Sequence, residues 1–212
     1  MGCELSIEQS WIGNGPPGRQ TGVVNAGNLL AMDLSGAKFD LINSVLSNNK
    51  GMPANFSGIL IKSATATTPG RIVNSTFVSN DSLTTRKAMA LDCQPATGNI
   101  SIVNSLFLDA AAPAGGTTYV HADCRSTNQK YIGSNDTTLT GDNNITDLVQ
   151  SDVFVSPAGN DYSLKTSADS RVRDGGITQF IDGGKNIIPT VDISGNPRGT
   201  AKLSRGALEA TR

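Results

Sequence analysis

Apolar residues in this chain come in short runs that alternate with polar ones, and the runs return at a nearly fixed interval. The hexapeptide "IVNSLF" at 102–107 repeats "IVNSTF" at 72–77, and "LINSVL" at 41–46 follows the same pattern. "IEQSWI" at 7–12 is a weaker copy, and "YIGSND" at 131–136 keeps only the Ile and the Ser. With Gln9, Asn43, Asn74, Asn104 and Gly133 taken as equivalent, the steps are 34, 31, 30 and 29 residues. A steady period of this size marks a stacked-repeat protein.

Each unit carries a second alternating run upstream of its Asn: "NLLAMDL" at 28–34, "GILIKS" at 58–63, "AMALDC" at 88–93 and "YVHADC" at 119–124. Period-two alternation predicts strands with one apolar face. No segment sustains a helical period, and Gly, Pro and Asn interrupt the chain every few residues. Two or three short strands per unit of about 30 residues resemble the coils of a right-handed parallel β-helix, in which like residues lie above like at the spacing of neighbouring strands. The expected fold is all-β: a single-stranded right-handed parallel β-helix, or solenoid, of about five coils with an irregular C-terminal capping segment. The Ile or Val before each Asn, and Ile12, Leu46, Phe77 and Phe107 after it, are expected in apolar columns inside. Asn43, Asn74 and Asn104 are expected as a structural amide ladder at a tight bend, since Asn tolerates left-handed backbone and can bond backbone groups.

Composition agrees with this reading. Aromatics make up 5% and charged residues 17% of the 212 residues, which suits strands and turns better than helices. A formal charge of −1 gives no field for nucleic acid, so nucleic-acid binding is not expected. No run reaches the roughly 20 apolar residues of a membrane span. The start "MGCELSIEQSW" shows no signal peptide and lies inside patterned sequence, so the chain is expected to be a fragment of a longer one.

From about Asn143 the rhythm changes. Phe154, Asp161, Tyr162, Leu164, Ser170, Asp174, Gly176, Asp192, Gly195, Arg198, Gly206, Ala207 and Glu209 resemble a closing phrase, F-x₆-D-Y-x-L…S-P-A-x-D-x-G…D-x-x-G-x-x-R…D-x-G-A-x-E, of bacterial surface proteins classed as choice-of-anchor Q. Arg171 stands where that phrase has Pro, and Ser204 where it has Asp. The resemblance implies a pectate-lyase-like superfold divided as 1–142, the coils, and 143–212, a segment of the same domain that closes the tube. It also implies a secreted or surface-attached bacterial location, and contact with carbohydrate or host surfaces.

Candidate chemistry lies on the outward face of the second strand of each unit. The expected register puts Asp33, Lys62, Asp92 and Asp123 in one outward column, with His121, the only histidine, in the next, and Gln94 and Arg125 flanking. Neighbouring Asp92 and Asp123 can share a proton as acid and base, with Lys62 and His121 beside them, or bind Ca²⁺. That would make a polysaccharide lyase or glycoside hydrolase. The plain alternative is a solvated polar column in which Lys62 and Asp92 form a surface ion pair of little energy. The catalytic set of polygalacturonase-like enzymes is not found. Tyr119 is expected outward beside His121, where with Asp33, Gln94 and Arg125 it would bind a glycan; Trp11 and Tyr131 are further sugar-stacking candidates, the plain alternative being that the tyrosines support the cap and that Trp11 packs under the N-terminal loop, which is the preferred reading for Trp11. Asp136 and Asp142 are read as turn residues before cation ligands. Cys93 and Cys124 fall in one inward column, and two buried free thiols are preferred there over a disulfide. Sequons at Asn55, Asn74, Asn80, Asn99, Asn135 and Asn144 are attributed to composition. No metal site and no cofactor is expected apart from the Ca²⁺ option, and the chain is expected to be a monomer. Three function classes follow: a glycan-binding module, a polysaccharide-cleaving enzyme and a passive stalk.

Overall fold

The computed structural model describes residues 4–13, 32–33, 38–47, 59–62, 70–79, 91–94, 100–110, 112, 118–120, 124 and 128–210. The chain is all-β with few helices, and its principal sheets are parallel. Sheet A runs through β1 (Glu4–Glu8), β4 (Lys38–Ile42), β7 (Gly70–Val73), β10 (Ile100–Val103) and β12 (Gln129–Lys130). Sheet B runs through β2 (Trp11–Gly13), β5 (Val45–Ser47), β8 (Thr76–Ser79), β11 (Leu106–Asp109) and β13 (Gly133–Ser134). Sheet C joins β3 (Met32–Asp33), β6 (Ile59–Lys62) and β9 (Leu91–Gln94). Successive sequence units supply successive strands to each sheet, an arrangement compatible with a β-solenoid.

The pleat sorts the repeat into two faces. Leu41, Ile72 and Ile102 of sheet A share one buried core with Leu46, Phe77 and Phe107 of sheet B and Leu91 of sheet C. The Phe77 and Phe107 rings stack with centroids 4.7 Å apart, the direct product of like residues on neighbouring strands. Gly70 lies between Phe39 and Ile100 in register, and a Cβ there would come within 2.1 Å of the Phe39 ring, so the missing side chain makes room for that ring. Leu5, Ile7 and Ile12 of the first unit pack on the same core but are only partly buried.

The residues immediately before each Asn correct one expectation. Ile42, Val73 and Val103 do not point into the shared core but outward, where they pack with Ile177, Phe180, Ile187, Ile188 and Leu203 of the C-terminal segment. Val45, Val78, Leu106 and Leu108, on the outer face of sheet B, are likewise covered by Val153, Phe154, Tyr162, Leu164, Val172 and Ala207. A strand covered on both faces reads as a continuous apolar run, which "IV" before the Asn already is.

That C-terminal segment is built of short pieces: α1 (Gln150–Val153), an antiparallel pair β14 (Phe154–Ser156) and β15 (Asp161–Leu164), α2 (Ser170–Arg173), and a hairpin of β16 (Ile181–Asp182) and β17 (Lys185–Asn186). Residues 142–148 first pair with the last unit through Asp142 O to Tyr131 N, Ile145 N to Ile132 O and Leu148 N to Ser134 O. The chain then runs along the flank of the stack. Among the described residues no helix is long and apolar enough to cross a membrane.

Candidate functional site

Asp33, Lys62, Asp92 and Gln94 all lie on strands of sheet C. The observed register pairs Asp33 with Leu60, Leu60 with Asp92, and Lys62 with Gln94. Lys62 is therefore level with Gln94 rather than with Asp92, two residues from the expected pairing. The bridge between Leu91 and Val120 makes the same two-residue shift against the register that would seat Asp123 beside Asp92. His121, Asp123 and Arg125 themselves lie outside the described residues. Alternation fixes which face a side chain takes, but a slip of two leaves that face unchanged, so the pattern alone does not choose between registers.

Tyr119 requires a correction. It is not an outward ring for sugar but 3% exposed within the core cluster. Its hydroxyl donates to Asn135 Oδ1 (2.8 Å) and accepts from Asp109 N (3.1 Å). Burial pushes the phenol well above its usual range, with the Asp109 charge adding to the effect. Beside it Asp136 accepts from Tyr119 N (2.8 Å), Thr118 Oγ1 (2.6 Å), Thr138 N (2.9 Å) and Thr138 Oγ1 (2.7 Å), while Asp142 pairs with Lys130 at 3.4 Å. These two acids serve turns and strand ends. Among the described residues no group of three or more His, Cys, Asp or Glu is arranged to hold a metal ion.

The densest polar architecture is the bend between sheets A and B. Gln9, Asn43, Asn74, Asn104, Tyr131 and Asn143 all have positive φ, between 46° and 58°. Tyr131, not Gly133, is thus the fifth turn residue, as the pairing of Val103 with Lys130 requires. An L-residue in this region costs about 1–2 kcal/mol, least for Asn. The following serine makes the turn a ladder. Ser44, Ser75 and Ser105 hydroxyls donate to the carbonyl two residues back (2.9–3.0 Å) and accept from Ser10 N, Ser44 N and Ser75 N of the unit before (3.2–3.3 Å). The "NS" of each hexapeptide was the visible signal for this ladder, and only its Asn half was assigned.

The asparagine side chains point outward, into the C-terminal segment. Asn104 Nδ2 donates to Ile177 O (2.8 Å) and to Asn74 Oδ1 (3.3 Å), and Asn104 Oδ1 accepts from Ile177 N (2.9 Å). Asn43 Nδ2 donates to Val191 O (3.0 Å), and Asn43 Oδ1 accepts from Arg198 Nη2 (2.8 Å). Arg198 also donates to the carbonyls of Gly206 (3.1 Å), Ala207 (3.0 Å) and Val191 (3.2 Å) and to Glu209 Oε2 (3.2 Å). Burial lowers the Arg198 pKa, opposed by the charges of Glu209 and Asp192. Asp192, fully buried, accepts from Ser194 N, Asn196 N and Glu209 N. Gly195 and Gly206 both have φ 86°, which a side chain would strain. So Asp192, Gly195, Arg198, Gly206, Ala207 and Glu209, six residues of the C-terminal phrase, form one joint that fastens the segment to the bend.

On the outer face of sheet A, Arg71 bridges Asp40 of the neighbouring strand and Asp182 of the hairpin (3.2 Å), and the Asp40 bond raises the Arg71 pKa. Cys124 is disulfide-bonded, which corrects the preference for free thiols; it is fully buried, with its sulfur 3.7 Å from Leu91 O. Searched against known proteins, the chain matches no family model, no curated protein and no solved structure.

Proposed function

We propose that this chain is a right-handed parallel β-helix of about five coils, the C-terminal part of a secreted or surface-attached bacterial protein of the choice-of-anchor Q kind, and that it serves as a module contacting carbohydrate or host surfaces. The observation that carries the reading is the buried disulfide at Cys124, since disulfides persist in oxidising compartments outside the cytoplasm. The turn residues at Gln9, Asn43, Asn74, Asn104 and Tyr131 support five coils. The joint made by Asp192, Arg198 and Glu209 supports the likeness to the family's closing phrase, because it gives those residues a shared physical use. The C-terminal segment covers the outer face of sheet B and the bends at Asn43, Asn74 and Asn104, so the reading assigns ligand contact to the surface outside those contacts.

A glycan array read with the intact protein tests this, together with an assay for released reducing ends on acidic and neutral polysaccharides. Retention of glycans without new reducing ends is the expected result. Release that an Asp92→Ala/Asp123→Ala variant loses would make the protein an enzyme working on the face of sheet C. Neither binding nor release would leave a passive stalk.

A further inference from the structure

Arg205 differs from the other buried arginine of the C-terminal segment. Arg198 has Glu209 as its counter-ion. Arg205 is only 4% exposed, yet no carboxylate among the described residues lies within ion-pair distance of it. Its Nη1 donates to Ile132 O (2.8 Å), its guanidinium carbon lies 5.9 Å from the centre of the Tyr131 ring, and its Nε is buried with no acceptor. The nearby acids are already engaged: Asp169 and Asp147 both accept from Arg171, at 2.7 and 3.1 Å. Arg205 N donates to Val172 O, which keeps it next to Arg171 in space. The two cations work against each other, and burial together with the Arg171 charge pulls the Arg205 pKa down.

Buried charges are nearly always paired, since an unpaired one keeps its full desolvation cost. A guanidinium presents a planar fork that matches a carboxylate. The Tyr131 ring, half-buried at the fifth turn, adds the apolar face on which a sugar ring packs. We propose that Arg205, Arg171 and Tyr131 form a binding corner for the carboxylate of an acidic sugar. This inference rests on the glycan-contact reading and names its ligand class and its place.

The test titrates the intact protein with oligogalacturonate, the matching neutral oligogalactoside and sodium sulfate, following binding by calorimetry and the arginine Nε–Hε signals by NMR. The expected result is binding of oligogalacturonate at least tenfold tighter than of the neutral oligomer, with the Arg205 signal shifted. Arg205→Gln should remove that preference. Because Arg205 is buried, two milder variants accompany it: Arg171→Gln at an exposed site, and Tyr131→Asn, which keeps a residue suited to positive φ. Each should weaken oligogalacturonate at least threefold with the unfolding midpoint within a few degrees of the parent. Acidic-glycan binding unchanged in all three variants overturns the corner but leaves glycan contact standing, as does binding of the neutral oligomer alone. A shift caused by sulfate and not by oligogalacturonate means an adventitious ion only and overturns the proposal. Silence toward both oligomers overturns the corner too, while silence across the glycan array is what removes the underlying reading.

Discussion

Replacing Arg198 by Ala tests whether the C-terminal segment is held by its buried joint or merely rests on apolar contacts. Arg198 makes five hydrogen bonds, to Asn43 Oδ1, Glu209 Oε2 and the carbonyls of Val191, Gly206 and Ala207. Its side chain and that of Glu209 keep 1% and 6% exposure, so the variant strands a carboxylate away from water. Breaking a buried pair from one side costs about 3–5 kcal/mol. At about 2–4 °C per kcal/mol for a chain of this size, the midpoint should fall by roughly 6–20 °C. Trp11, the only tryptophan, stacks on Tyr162 of the C-terminal segment at 6.4 Å, so its fluorescence reports docking while far-UV circular dichroism reports the sheets. In urea the two probes should coincide for the parent, and in Arg198→Ala the Trp11 signal should change first. The paired variant Arg198→Met/Glu209→Leu removes both charges and should recover most of the loss. A single-variant cost below about 1 kcal/mol, or a paired variant no better than the single one, would refute the reasoning.

Four other outcomes follow from the structure. Asn74→Ala should cost about 1–2 kcal/mol more than Asn74→Gly in urea unfolding, because the position has φ 46°. Ser75→Ala removes the acceptor of the buried Ser44 N–H, so a loss of about 1–3 kcal/mol and faster hydrogen exchange at Ser44 are expected. The Tyr119 phenol is raised in the folded state, so the stability tied to its neutral form is full below pH 10 and falls above it, by up to about 1.4 kcal/mol per pH unit; Tyr119→Phe should flatten that alkaline decline. Reduction of the disulfide should cost about 2–4 kcal/mol, and peptide mapping without reductant should recover the Cys124 peptide joined to that of Cys93, which the β9 backbone places two residues beyond Leu91; a link to Cys3 would contradict this.

The parallel all-β stack was legible because the hexapeptide returns with its faces intact: Leu46, Phe77 and Phe107 lie inside as their spacing requires. Two of the misplacements share one physical origin. Lys62 against Gln94 rather than Asp92, and Tyr131 rather than Gly133 at the fifth turn, are both displacements of two residues, which leave alternation unchanged. Tyr119 was misplaced for another reason. The run "YVHADC" alternates cleanly, but the hydroxyl finds Asn135 and Asp109 inside, and such partners, distant in sequence, are invisible to periodicity. The covered outer face of sheet B was unreadable for the same reason, since its partners lie far downstream: Tyr162 is the partner of Trp11, and Ala207 that of Thr76, 131 residues on.

The way the C-terminal segment lies has a consequence for how such a chain can change length. It touches Trp11 through Tyr162, Asn43 through Arg198, Asn74 through Gly206, Asn104 through Ile177 and Ile132 through Arg205. It therefore works as a gauge laid across five consecutive turns. An extra unit inserted between Asn43 and Asn104 would move its fastening points apart by about 4.8 Å, too far for bonds of 2.8–3.5 Å to stretch. A unit added before Glu4 would leave every fastening point in place. Such a protein can lengthen at one end only, and the graft that tests this is a duplicated 30-residue unit moved from one position to the other.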